Sequence, residues 1–384
     1  KKKNAIRELE TLSVSFPNDI EILEILSELY LLNDEKEKAF QIFKKIAVID
    51  PSNGRVYLTL ADYYRSYGDN RKSFDELKHA FASPKLDVDT KVKILISYFQ
   101  LLAVNDIMKA QAYELSELLI KTHSKSAKAY AVYADILYTD NKFDQAKEAY
   151  KVVLSYDKTK SQVWSQLLFI EAEQNDFKGM LTTSDQALEY FSADPLFYYF
   201  NGVANKWFKN NEKAISSLEM GVEFIVDNDL LLLEFYVSLA DLYHTIGNDK
   251  VSDSFFESVL AIDSNNVLVL NNYSYYLSER KVELAKAEKM SLRCNTLEPN
   301  NGTYQDTYAW ILYQIGEYEK AKEWMQKSLK NGSDNSAVVV EHYGDILYRL
   351  GDIELAKKTW VKASELGTAS KFLSKKIEDG KLYE

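Results

Sequence analysis

Three observations predict an all-α fold, a right-handed α-solenoid of stacked helix-turn-helix repeats. A small residue returns at one phase: Ala5, Ala39, Ser73, Ala112 and Ala146, then Ala214, Ser252, Ala287, Ala321 and Ala356, mostly about 34 residues apart. That residue is followed by others at i+4 and i+7, as in Ala39-Phe43-Ile46, Ala146-Tyr150-Val153 and Ala356-Trp360-Ala363, which lines one face of a helix. Turn formers are scarce, with 13 Gly and 5 Pro in 384 residues, so the helices are long and the connections short.

The repeats then follow in order. Ala5 stands at the second-helix phase and Pro17 closes that hairpin, so residues 1–19 read as the second helix of a truncated repeat. Its first helix is missing, and the expectation is a fragment with further residues upstream. Residues 20–86 hold two repeats, 20–53 and 54–86; at 87–126 the phase slips by about five residues, which marks a degenerate repeat. Residues 127–228 hold three repeats (127–160, 161–194, 195–228) and 233–368 hold four (233–266, 267–301, 302–335, 337–368). First helices set a large residue beside a small one, as in Leu60-Ala61-Tyr64, Tyr133-Ala134-Leu137, Leu239-Ala240-Tyr243 and Tyr343-Gly344-Leu347, so that paired helices approach closely. Gly68, Gly247, Gly316 and Gly351 fall in the turns, where a positive φ ends a helix. Residues 226–232 insert about four residues and 278–284 about one, read as contact sites on one face or, more readily, as tolerated loop changes. Residues 369–384 read as a C-terminal capping helix, with Lys371, Lys375, Lys376 and Glu378 solvated and Phe372 and Ile377 covering the last hairpin.

Composition narrows the function. A net charge of −11 argues against general nucleic-acid binding, which needs clustered Lys and Arg. The basic start Lys1-Lys2-Lys3 is too short for a nucleic-acid arm. No apolar run approaches the ~20 residues of a membrane helix, and no signal peptide is visible. The single cysteine, Cys294, excludes an intramolecular disulfide framework and falls at a core phase. His79, His123, His244 and His342 lie in different repeats without a second ligand at i+3 or i+4, so no metal site is predicted. No phosphate loop or nucleophile elbow occurs, and neither catalytic residues nor a cofactor are expected.

The spacing is that of the tetratricopeptide repeat, and the best match is 302–335, with Tyr308-Ala309, Leu312, Gly316, Ala321, Met325 and Ser328. Segments such as Leu60-Ala61-Asp62-Tyr63-Tyr64, Asn271-Asn272-Tyr273-Ser274-Tyr275-Tyr276 and Asp306-Thr307-Tyr308-Ala309-Trp310 resemble an outer-membrane-associated tetratricopeptide lipoprotein family of Bacteroidota. That resemblance implies a periplasmic chain tethered to the outer membrane by a lipid anchor upstream, with a role in partner binding or assembly. A cytoplasmic location stays open. The chaperone-binding members need Lys, Asn and Arg at set groove positions; here Asp306, Thr307, Glu341 and Leu58 stand there, which argues against a chaperone-tail adaptor.

First helices of such hairpins line a concave groove. The residue after each small one faces into it: Glu28, Asp62, Asp135, Phe169, Val203, Asp241, Tyr275, Trp310 and Asp345. The groove therefore runs from acidic through apolar to aromatic. Expected partner-binding residues are Phe169, Tyr199 and Trp207 in the middle and Asn271, Asn272, Tyr275, Trp310, Tyr313, Asp345 and Tyr348 toward the end. Asn offers a donor and an acceptor to an extended backbone, and aromatics give contact area at low entropic cost. Trp310 and Tyr275 are expected to be exposed, while the groove acids are equally well read as paired with nearby Lys or Arg. The expected function is a non-catalytic protein–protein interaction module, an adaptor or assembly subunit in a bacterial envelope complex, holding extended or helical partner segments. Two alternatives are a glycan-binding accessory protein using the aromatics, and the regulatory region of an enzyme whose catalytic domain lies upstream.

Overall fold

A computed structural model describes residues 2–383; Lys1, at the basic start, and Glu384, at the end of the C-terminal segment, lie outside the described residues. The chain divides after Ser192 into two compact units. The described residues form stacked antiparallel helical hairpins.

The first unit opens with α1 (Lys2–Ser15), which packs on the hairpin α2 (Ile20–Leu32) and α3 (Lys36–Ile49), followed by α4 (Gly54–Ser66) and α5 (Asn70–Ala82). The degenerate stretch comprises α6 (Val88–Ile96), the single turn α7 (Phe99–Leu102) and a long α8 (Asp106–Thr122). Two regular hairpins complete it, α9 (Ala127–Thr139) with α10 (Phe143–Tyr156) and α11 (Ser161–Glu173) with α12 (Phe177–Tyr190).

The second unit contains α13 (Pro195–Trp207), α14 (Asn211–Val222), α15 (Asp229–Thr245), α16 (Asp249–Ile262), α17 (Val267–Glu279) and α18 (Leu284–Leu297). They are followed by α19 (Gly302–Gln314), α20 (Tyr318–Ser328), α21 (Ala337–Arg349), α22 (Ile353–Leu366) and the short α23 (Leu373–Asp379).

Helix starts are written locally. Asp19, Asn53, Ser126, Asp194, Asn228, Asn266, Asn301 and Ser336 each precede a first helix and accept a backbone N–H from its first turn. The small residues of the second helices are buried: Ala39, Ala112, Ala146, Ala214, Ala287, Ala321 and Ala356 have no exposed surface. Core side chains bridge successive hairpins. Ala240, Phe256, Val259, Leu270, Tyr273, Cys294 and Ile311 form one cluster that joins three of them. A fully buried side chain such as Phe256 contributes about 1.5–3 kcal/mol. Cys294 is buried, and desolvation pushes its thiol up to about 12.

Each turn of the regular hairpins holds a left-handed residue. Gly68, Gly247, Gly316 and Gly351 take φ of 78°, 78°, 86° and 85°, while Asp34, Asn141, Asn175, Lys209 and Lys281 adopt φ near 60° without being glycine. A Cβ is strained there by about 1–2 kcal/mol. Lys209→Gly is therefore expected to raise stability by about 0.5–1 kcal/mol after the entropy cost of glycine in the unfolded chain, read as a higher urea midpoint.

The insertions differ from the expected loops. Residues 229–232 add a helical turn, so α15 has 17 residues where α13 and α17 have 13, because Asn228 caps the helix one turn early. The extra residue near 281 is absorbed by two left-handed residues, Lys281 and Glu283. In the degenerate stretch, α6 breaks at Ser97. There Lys91 is fully buried, and its Nζ donates to Phe81 O (2.8 Å), Ser83 O (2.7 Å) and Thr122 Oγ1 (3.1 Å), the ends of α5 and α8.

Candidate partner-binding groove

Three consecutive first helices of the second unit, α17, α19 and α21, carry equivalent positions 35 residues apart: Asn271, Asp306 and Glu341; Tyr275, Trp310 and Asp345. Together with the C-terminal segment they wall a cleft of about 410 Å³. Tyr275, Glu279, Trp310, Gln314, Val338, Glu341, His342 and Asp345 face it, and no residue of α18, α20 or α22 does.

Aromatic and charged groups interlock on this wall. The Trp310 indole stacks on His342 (ring centroids 3.9 Å apart) and on Tyr313 (4.7 Å, 9° between planes). Its Nε1 donates to Glu279 Oε1 at 2.6 Å. Trp310 is thus 8% exposed, not the open ring expected, because neighbours cover both faces. His342 Nδ1 lies 3.1 Å from Asp306 Oδ1, both groups buried. Burial alone would lower the imidazole pKa, but the Asp306 carboxylate, helped by Asp345 and Glu279, outweighs it and holds His342 above its ordinary value.

Deeper in the cleft, Lys376 of α23 is 3% exposed, and its Nζ lies 2.8 Å from Glu341 Oε1 and 2.7 Å from Asp345 Oδ2. This corrects the expected solvated lysine: α23 turns Lys376 toward the wall, while Lys371, Lys375 and Glu378 stay exposed as expected. The apolar contact with the last hairpin is made by Leu373, with Ile377 and Leu382, while Phe372 is only half-buried. Asp345 also accepts Trp360 Nε1 at 2.8 Å, and Glu341 accepts Ser370 N at 2.7 Å. Burial pushes Asp345 up to about 6 in spite of Lys376. Burial also acts to raise Glu341, yet Lys376 and Ser370 outweigh it and hold that carboxyl below its ordinary value.

The other expected contact residues are scattered. Asn271 is buried, donates to Asn272 Oδ1 at 3.2 Å and leaves its own Oδ1 without a partner. Tyr313 is buried behind Trp310, and Tyr348 stacks on Trp360 at 5.7 Å. Tyr199 packs near Phe235 and donates to Glu234 at 3.4 Å, while Trp207 stays 62% exposed. In the first unit, Phe169 lines a separate small cleft with Tyr138 and Phe143. Three other groove acids are paired: Asp62 with Arg65 (2.6 Å), Asp135 with the Tyr150 hydroxyl (2.6 Å), and Asp241 with Lys206 (3.5 Å).

Glu279, His342 and Lys376 were missing from the expected set. One signal in the sequence points to His342 and Lys376, though not to Glu279: complementary residues one period apart. Asp241 meets Tyr276, Asp306 meets His342 and Glu341 meets Lys376 at separations of 35, 36 and 35 residues.

His342 gives this wall a pH dependence. A histidine whose folded pKa is raised adds stability that is fully present below the unfolded value, about 6.5, and is lost as pH rises through the folded one. The advantage of the native chain over His342→Gln in urea unfolding is therefore expected to shrink from about pH 6.5 upward.

The tetratricopeptide-repeat family matches residues 127–160, 233–266 and 304–331. These three segments are tetratricopeptide repeats. It is 29% identical over 133 residues to the type IV pilus assembly protein PilF of Pseudomonas aeruginosa, a match covering 34% of this chain and 51% of PilF. The chain thus spans about half the length of that curated relative. Among solved structures it resembles the APC/C hetero-tetramer Cut9–Hcn1 (TM-score 0.53, 12% identity, 94% of this chain and 76% of that one). It also resembles a tetratricopeptide repeat protein from Parabacteroides merdae (TM-score 0.52, 14% identity, 66% of this chain and 98% of that one). These two likenesses concern the fold. Tetratricopeptide-repeat proteins are in general protein-interaction scaffolds, and no catalytic family is indicated. Among the described residues no helix is long and apolar enough to cross a membrane.

Proposed function

We propose that this chain is a non-catalytic assembly or adaptor subunit of a bacterial envelope complex, and that it holds a partner segment in the groove walled by α17, α19 and α21. One observation carries the reading. Carboxylates from successive first helices, Glu279, Glu341 and Asp345, gather beside aromatic rings in an open cleft of about 410 Å³, with Asp306 buried behind His342. Such a wall offers acceptors to a segment's N–H groups and cations, and rigid apolar area to its side chains. The similarity to a pilus assembly protein supports the assembly role, and the Bacteroidota resemblance of the sequence favours an envelope setting. A sugar platform is less favoured, since Trp310 presents no open face.

Tyr275→Ala combined with Glu279→Gln tests the reading. Tyr275 is half-buried, and the side-chain amide introduced by Glu279→Gln still offers Trp310 an acceptor, so the helices should remain intact. Affinity purification from the membrane fraction is expected to recover a partner with the native chain and lose it with the double variant at unchanged helical content. Retained capture would point to other surfaces.

A further inference from the structure

The C-terminal segment already shows what the groove accepts. Its extended stretch donates a backbone N–H, that of Ser370, to Glu341. Six residues later Lys376 places an ammonium between Glu341 and Asp345. The attachment is slight. The helix α23 has seven residues, too few to persist alone, and its main apolar anchor is Leu373. Gly367, at φ 147°, joins it to α22 through a non-helical stretch. A purely structural cap needs only its apolar side. Burying an ion pair costs desolvation that a hydrocarbon contact avoids, and its attested use is to specify which element docks and in which register.

We propose that residues 369–383 are a displaceable occupant of the groove, and that the Glu341–Asp345 seat takes a lysine-bearing segment of the partner in their place. This rests on the groove reading above and adds the partner's chemistry: a basic segment with a free backbone N–H about six residues before its lysine. Charge complementarity favours this occupant. Without the tail, the wall keeps the carboxylates of Glu279, Glu341 and Asp345 beside Lys281 and His342, but loses Lys371 and Lys376, which also border the cleft.

The test uses a fluorescent peptide of residues 367–383 and the 384-residue chain, read by fluorescence polarisation. The native chain is expected to bind it weakly, because its own tail fills the seat. Lys376→Glu, which expels the tail, is expected to bind at least tenfold tighter. Adding Glu341→Gln and Asp345→Asn should abolish that gain, and a peptide carrying Lys376→Gln should bind at least tenfold more weakly. If Lys376→Glu loses helicity, Lys376→Met carries the same comparison. A folded variant that binds no tighter than the native chain overturns the proposal and makes the tail a fixed cap. In that event, loss of partner capture by the Tyr275→Ala, Glu279→Gln chain still upholds the groove. Tight, lysine-dependent peptide binding with undiminished capture upholds the seat and sinks the groove reading.

Discussion

Lys376→Met is expected to undock the C-terminal segment. Two carboxylates, Glu341 at 3% and Asp345 at 2% exposure, share this ammonium and would be left with no lysine between them. Breaking a buried ion pair by removing one partner costs about 3–5 kcal/mol, more than a short helix anchored mainly by Leu373 can hold. The loss should appear locally. Amides of 370–379, including the Ser370 N–H on Glu341, should lose hydrogen-exchange protection, while α19 and α20 keep theirs. The triple variant Lys376→Met, Glu341→Gln, Asp345→Asn removes the charges but leaves acceptors for Ser370 and Trp360, and it should regain most of the docking. A triple variant as unprotected as the single one would show that the ammonium acts by more than neutralising those charges.

Lys91→Met is the second large effect, expected at about 2–4 kcal/mol in the first unit. The methionine fills similar space but donates nothing. The carbonyls of Phe81 and Ser83 and the Thr122 hydroxyl then lose a donor that ties the ends of α5 and α8 to α6. Relief from burying an ammonium offsets part of this, since burial already pushes Lys91 down to about 8. Urea unfolding measures it, and a change below about 0.5 kcal/mol, the ordinary scale of a surface substitution, would contradict a structural role for the buried lysine.

These two lysines mark where reading the sequence stops. The repeat phase was legible because it rests on packing. A small residue is needed wherever paired helices meet, and Ala39, Ala146, Ala287 and Ala356 are all fully buried. Glycine in the turns was legible for the same steric reason, though Lys209 and Lys281 show that the turn is imposed even on unsuited residues. Lysine carries no such signature. Its default place is water, and only a buried cage of acceptors, assembled from segments about 10 to 30 residues away, turns Lys91 inward. Trp310 and Tyr275 line one cleft. Trp310's exposure was misjudged because its covering partner, His342, lies on the next repeat and reaches it only through the stacking. The inserted residues near 230 were read as loop because a cap one turn early, Asn228, was not weighed against the period.

The central claim is that a partner lies against the wall of α17, α19 and α21. A photoreactive amino acid placed at Gln314 on that wall, and separately at Val361, an exposed residue of α22 outside the cleft, tests it most directly in cells. Crosslinking to a partner from position 314, at a lysine-bearing segment and absent from position 361, is the predicted result. Crosslinking from 361 with none from 314 would contradict it.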